Sequence, residues 1–499
     1  MDAQAALRVS ADGYTVAAMV GYLALMVGIG VWASGFASGG VREFFVGGRV
    51  MNRVVVALSA VASGRSAWLL LGLSGMAYTL GAPALWAAVG YTLVELLLFL
   101  YFAPRLRRFA GVFDCITVTD FFAERFGDDR LLRSLIALII LIFMTGYVAA
   151  QFVAGGKAFS VTFGVGLETG VWITAGIVLF YTLFGGFLAV SVSDTVQAAV
   201  MLVVLVLLPV TAVAQLGGVG EVAGALRLAD AAVLDPFALS AGTLIGFLAI
   251  GLGSPGNPHI VVRYMSIDDP EELRFAAGVA TIWNVLMAVG AVTIGLLGRA
   301  AIPEAATLPG ADPENVFPVL AGAYLDPLML GVAISAVLAA IMSTADSQLL
   351  VASSCLVRDL YQKGFRRRDS LSQTWLVFLS RVAVLGLAGV ALLVGFMAEE
   401  VLFWLVLFAW AGLGASLGPT SILAIFWRGT TKAGVYAGVL AGAATTVIWY
   451  YTPALKEQLY ELVPGFLAGF VATVVVSRLT LPPHGVGTAF QVMEGRRLR

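Results

Sequence analysis

The sequence predicts an all-α polytopic membrane protein with thirteen transmembrane helices. Three observations predict it: a composition too apolar for water, a series of apolar runs of spanning length, and basic residues gathered in alternate loops. Of 499 residues, 60% are hydrophobic and only 12% are charged, and the mean hydropathy is +0.95. A water-soluble chain of this length needs far more charge to cover its surface. The outside must therefore face something apolar as well, and a lipid bilayer supplies it. A formal net charge of −1 offers no basic field to a nucleic acid. The 57 glycines let membrane helices approach closely. Two cysteines, Cys115 and Cys355, make neither a disulfide framework nor a metal quartet. Two histidines, His259 and His484, are too few for a His-based metal or haem site. The first apolar run is long enough to span rather than to be cleaved as a leader, and no polar stretch has room for a soluble domain.

Apolar runs of spanning length fall near 13–35, 53–79, 83–104, 132–160, 168–187, 191–215, 237–264, 276–299, 328–357, 373–397, 401–427, 432–452 and 461–481. The loops test this count. With the N-terminus outside, the odd-numbered loops are cytoplasmic. They hold Arg42, Arg49, Arg105, Arg107, Arg108, Arg125, Arg263, Arg274 and the Arg366–Arg368 run, and the tail adds Arg496, Arg497 and Arg499. The opposite side holds little beyond Arg8, Arg227 and Lys456. Its long loop, 302–327, has acids and no Lys or Arg. That asymmetry follows the positive-inside rule and places the chain in a cell's inner membrane with a cytoplasmic C-terminus.

Two spans are broken. The second carries Ser59, Ser63, Gly64, Arg65 and Ser66 near its middle, and the seventh carries GLGSPGNPH at 251–259. Proline removes a backbone donor and glycine loosens a helix, so such backbone is tolerated only where it is buried or lines a cavity. The two spans stand five apart, so each opens a five-helix half, and matched breaks of this kind point to a transporter's binding site. Charges lie inside the spans as well: Arg65 mid-span, Asp194 at the start of the sixth, and Asp346 in the ninth. An ionisable group in a span is a candidate for function. For Glu95, Lys157 and Arg381 the ordinary alternative is a structural ion pair or snorkelling. The ninth span, LAAIMSTADSQLLVASS, is rich in oxygen. Ser343 and Ser347 share a face one turn apart, and hydroxyls with carbonyls suit a hard cation, unless they merely bond to the preceding turn.

Seven segments, in order, carry a family likeness: REFFVGGR (42–49), SAWLLLGLSG (66–75), ITVTDFFAERF (116–126), GGFLAVSVSDTVQA (185–198), GNPHIVVRYM (256–265), LAAIMSTADSQLL (338–350) and AWAGLGASLGP (409–419). With them the chain resembles the sodium:solute symporter family, and most of all its sodium/proline branch. The resemblance implies a LeuT-type core of two inverted five-helix repeats. The chain then divides into a first helix and loop (1–52), repeat one (53–215), repeat two (237–427) and two peripheral helices with a tail (428–499). It implies a sodium site made by the carbonyls of Ala62, Arg65 and Ala340 and the hydroxyls of Ser343 and Thr344. It implies a candidate second cation site at Asp194, Asp346 and Ser347, and Na+ as the coupling ion.

The substrate site implied beside the two breaks comprises Ser63, Gly64, Ser66, Trp68, Tyr147, Gln151, Gly253, Ser254 and Asn257. The chain also departs from the branch. Gly64-Arg65 stands where relatives have Asp-Met, and Ile250 and Ser254 stand where they have Trp and Tyr. Arg65 could pair with Asp346 across the cavity, take a substrate carboxylate, or displace the cation. The expected activity is sodium-coupled symport of a small organic solute, an amino acid such as proline, by alternating access, from a monomer. The alternatives are proton-coupled or uncoupled transport of another solute, or a transporter-like solute sensor. No paired nucleophile and base marks an enzyme.

Overall fold

The protein is seen in a computed structural model that describes residues 12–127, 130–365, 371–397, 402–481, 483 and 485–496. Arg8, the Arg366–Arg368 run, His484, Arg497 and Arg499 lie outside the described residues. Among the described residues the chain is helical, with one isolated backbone bridge between Met51 and Ile267. Ten helices among the described residues are long and apolar enough to cross a membrane. In chain order with a bent pair and one shorter helix, they are α1 (Gly13–Ala37), α2 (Arg53–Leu80), α3 (Ala82–Val112), α4 (Arg130–Phe163), α5 (Leu167–Gln215), α6 (Ala241–Gly256 and Pro258–Ser266, bent by 55°), α7 (Pro270–Ala301), α8 (Pro327–Gly364), α9 (Gln373–Met397), α10 (Leu405–Phe426), α11 (Lys432–Tyr450) and α12 (Leu462–Arg478). This is a multi-pass membrane protein.

The expected fifth and sixth spans fall in one helical run of 49 residues, α5, whose two parts meet at a kink. At 1.5 Å per residue 49 residues make about 74 Å of helix, enough for two crossings of a ~30 Å hydrocarbon core. Its register is interrupted at Gly186, with φ 57° and ψ −163°. That conformation is open essentially to glycine alone. A Cβ at this position would also lie 2.9 Å from the Ala37 Cβ. Gly186→Ala is therefore expected to destabilise the protein by about 1–3 kcal/mol, read as a lower melting temperature in detergent. An unchanged melting temperature would show that the interruption is not required.

Burial sorts the helices. The apolar windows of α2 and α8 are 89% and 83% buried, against 22% for α1 and 33% for α9. α10 is 83% buried too, but α2 and α8 are the ones that carry Ser, Thr and charge together, because in lipid a polar group must find its partner inside the protein. α2 packs on α5, α7 and α8. At one end of the bundle ion pairs gather: Arg49 with Asp114 at 3.0 Å, and Arg133 with Asp120 at 2.6 Å and Asp359 at 3.3 Å. Asp120 sits on the short helix Val118–Phe126, outside the spans. Burial raises its carboxyl, but Arg358 and Arg133 outweigh that and hold it below the usual carboxylate range. Its contribution to stability is thus present above that range and lost only as pH falls through the depressed value. On the acidic loop, Lys157 reaches Asp312 at 2.8 Å and Glu314 at 2.6 Å.

One expectation about the loops is corrected. Arg263, read from the sequence as a cytoplasmic loop residue, lies in the second segment of α6 and is 1% exposed.

Candidate transport site

The break in α2 is at Ser66, with φ 50° and ψ −173°. A residue with a Cβ rarely adopts that conformation, and where it does the strain usually serves a function. The helix restarts beyond it, and the freed amides are capped by side chains. Gln151 Oε1 accepts from Ala67 N at 3.1 Å, and Ser66 Oγ accepts from Trp68 N at 3.1 Å. The break in α6 has the complementary form. Residues 250–256 tighten into a 3₁₀ turn, Asn257 is extended, and Pro258 opens the next helix, where its missing N–H costs nothing. Asn257 Nδ2 donates to Gly253 O at 2.8 Å and ties the turn down.

α8 meets the α2 break through its hydroxyls. Ser343 Oγ donates to Ala62 O and to Ala340 O, each at 3.1 Å, and Thr344 Oγ1 donates to Ser63 O at 2.9 Å. Three of the five expected sodium residues, Ala62, Ala340 and Ser343, thus meet between α2 and α8, and a fourth, Thr344, reaches α2 one residue further on. The fifth, Arg65, has a carbonyl that accepts from Trp68 N, past the break. The cluster is uncharged and made of oxygen, the donor chemistry a small hard cation requires.

One turn along the same face lies a charged cluster. Asp194 Oδ2 accepts from Ser59 Oγ at 2.6 Å, from Ser63 Oγ at 3.0 Å and from Arg263 Nη2 at 3.2 Å. Arg263 also donates to Ser347 Oγ, and its Nε donates to Ser59 Oγ at 3.2 Å. The guanidinium is thus seated on two of the three residues of the candidate second cation site. The third, Asp346, accepts from Tyr181 Oη and from Ser347 Oγ.

Arg65 does not pair with Asp346, and that expectation is corrected. Its Nε donates to Asn284 Oδ1 at 2.9 Å, its Nη2 lies 3.7 Å from Glu95 Oε2, and its guanidinium carbon sits 3.4 Å from the centre of the Tyr91 ring. Asn284 in turn donates to Glu95. The side chain leaves α2 toward α3 and α7, where a buried acid and an amide neutralise it. Glu95 is at membrane depth in a structural ion pair, the ordinary alternative for it.

Between the breaks is a narrow cavity lined by Gly64, Trp68, Tyr91, Tyr147, Ile250, Val406, Leu407 and Trp410. Gly64, Trp68 and Tyr147 were expected there from the sequence. Ser66 lies beside them, its hydroxyl 3.4 Å from Tyr147 Oη. Gly253 allows Trp410 to close in, since a Cβ would come within 2.0 Å of the indole nitrogen, which donates to Ile250 O at 2.8 Å. Ser63 turns away to Asp194, and Gln151 and Asn257 spend part of their amides on backbone. Tyr91 and Trp410 were missed. Trp410 lies inside the segment AWAGLGASLGP, whereas nothing local to Tyr91 marks it.

Two broken helices around a cavity, crossed by hydroxyl-bearing α8, define a secondary transporter. Its sequence places it more closely. The sodium:solute symporter family profile matches residues 44–442, and the chain belongs to that family. It is 43% identical over 452 residues to the high-affinity proline transporter PutP of Bacillus subtilis, covering 89% of this chain and 93% of the relative. It is 38% identical over 459 residues to that organism's osmoregulated proline transporter OpuE, covering 91% and 93%. It is 37% identical over 492 residues to a sodium/proline symporter of Staphylococcus aureus, covering 95% and 94%. These relatives are transporters, not enzymes. In fold the chain is similar to a Na+-coupled sialic acid symporter, at TM-score 0.80 and 19% identity over 94% of this chain and 99% of the other. A second fold likeness is to Mhp1, a nucleobase-cation-symport-1 family transporter, at TM-score 0.54 and 17% identity over 90% and 98%. The protein is a sodium-coupled symporter of a small organic solute, embedded in a membrane.

Proposed function

We propose that this symporter carries a small amino acid, proline first, inward with Na+ by alternating access. The observation that supports it most is the contact of Ser343 and Thr344 with the carbonyls of Ala62 and Ser63 at 3.1 and 2.9 Å. A cation taken up by these hydroxyls and by the Ala62, Arg65 and Ala340 carbonyls bridges α2 to α8 and holds the solute side open. The solute binds beside the Ser66 and Asn257 breaks, among Gly64, Trp68, Tyr147, Gln151, Gly253 and Ser254, with Ser63, expected there from the sequence, instead turned to Asp194. Helix ends there supply partial charges.

In this reading there are thirteen spans in the inner membrane of a cell, with the N-terminus outside and the C-terminus cytoplasmic. α5 counts as two spans divided near Gly186, α6 as one, and α12 as the last. Repeat one is 53–215, repeat two is 237–427, and the two together make a LeuT-type core. Residues 1–52 and 428–499 are peripheral, and the protein acts as a monomer. Uptake of labelled proline into proteoliposomes tests the activity. Saturable uptake that needs an inward sodium gradient, and that a proton gradient does not replace, is expected. Equal uptake without sodium would sink the coupling.

A fixed guanidinium on Asp194 and Ser347 leaves no need for a second cation at that cluster. One sodium per solute is therefore expected, measured as the reversal potential of uptake across set sodium and solute gradients. Arg263→Gln, which removes that charge, is expected to raise the sodium cooperativity. A two-sodium ratio in the unaltered protein would count against Arg263 as the resident cation.

A further inference from the structure

We propose that Tyr91 selects the solute, and that it selects a carboxylate: the site takes a small carboxylic acid anion and does not require an amine on it. This deepens the symport reading above and rests on it.

Tyr91 is buried at 2% exposure and lines the cavity with Gly64, Trp68 and Tyr147. A Cβ at Gly64 would come within 2.1 Å of its Oη. The hydroxyl thus fills the space that a residue without a side chain leaves at position 64, two residues before the α2 break. It lies close to the Ser254 hydroxyl of α6, but neither hydroxyl, nor the Gln151 Nε2, has a partner of full hydrogen-bond geometry among the described residues. Buried polar groups in a native protein are nearly always paired, so the hydroxyl of Tyr91, which lines the cavity, calls for a ligand.

The ligand's charge follows from the neighbourhood. The Arg65 guanidinium lies over the Tyr91 ring at 3.4 Å, and Trp410 stacks on the same residue with ring centres 5.6 Å apart. A cation against the ring draws electron density from it and makes the phenol O–H a stronger donor. The helix that restarts at Ala67 adds its positive end. Glu95 balances Arg65 behind the ring, so its charge is already spent. Among the described residues no carboxylate lines the cavity. A carboxylate brought here meets donors, whereas an ammonium meets no counter-charge and pays its desolvation alone.

The test is competition for sodium-dependent binding to the purified full chain, using proline, cyclopentanecarboxylate, pyrrolidine and prolinamide. The two acids are expected to bind within about tenfold of each other, and the amine and the amide only weakly. Tyr91→Phe, which keeps the ring on Arg65 and Trp410, is expected to weaken both acids at least tenfold and to leave sodium affinity unchanged. If pyrrolidine or prolinamide competes as well as the acids, or if Tyr91→Phe binds like the unaltered protein, the proposal is overturned. Absence of binding by all four also overturns it. If Tyr91→Phe does not fold, the panel on the unaltered protein still decides between acid and amine. Acid-selective binding without sodium-driven uptake would overturn the symport reading and spare this one.

Discussion

Ser343→Ala and Thr344→Ala are expected to remove sodium dependence from uptake, each weakening sodium about 10–100-fold and the pair together on the order of 1,000-fold. An interaction with a charged partner is worth about 1.5–3 kcal/mol, and 1.4 kcal/mol is a factor of ten. Both hydroxyls are fully buried on α8, and each reaches a carbonyl of α2 rather than only its own preceding turn. Their loss therefore removes two hydrogen bonds between α2 and α8 as well as two oxygens. Ser353 on the same helix is the control. It is buried, but among the described residues its hydroxyl bonds to Leu350 O alone, at 2.8 Å, within its own helix. Ser353→Ala is expected to leave sodium affinity within about twofold. Sodium titrations of uptake at saturating solute make the comparison. Equal losses in all three variants would mean that the helix, and not a site, was disturbed.

The second large effect is in stability. Arg65 and Glu95 are 3% and 1% exposed at their side chains, and both lie within membrane spans. Removing one partner of a buried pair leaves an uncompensated charge and costs about 3–5 kcal/mol. Arg65→Met and Glu95→Gln are each expected to lower the detergent melting temperature steeply. The double variant is expected to recover most of the loss, since an uncharged pair of similar volume carries no such cost. Arg65→Met combined with Asp346→Ser is instead expected to be additive, because Asp346 bonds to Tyr181 and Ser347 and not to Arg65. If the Arg65 and Glu95 losses simply added, the pair would not be the unit that holds this part of the bundle.

Much of this was legible in the chain alone. The expected span 373–397 coincides with α9, and 13–35 falls inside α1. A bilayer forces every backbone group to pair within its segment, so span length and apolarity are written locally. Both breaks were legible for the same reason, since Gly and Pro act on their own backbone. The residues around Ser66 and Asn257 declared themselves without any partner being known. The hydroxyls Ser343 and Thr344 were found by spacing and family likeness.

What escaped the sequence was who faces whom. From sequence Arg65 has three open readings, pairing with Asp346 among them, yet its partner is Glu95, thirty positions along the chain on α3. Arg263 was assigned to a loop because basic residues collect there, yet it enters the bundle and neutralises Asp194. Tyr91 carries no local mark, because its role depends on the empty space at Gly64 and on a guanidinium arriving from another helix. Sequence by itself determined the membrane, its series of apolar helices, the two breaks and the oxygen-rich face of α8, since each depends on solvent or on neighbours within a turn. Only the tertiary structure decided how the charges pair and what the cavity offers a solute. Electrostatic and steric complementarity act through space, between residues that the chain order keeps far apart.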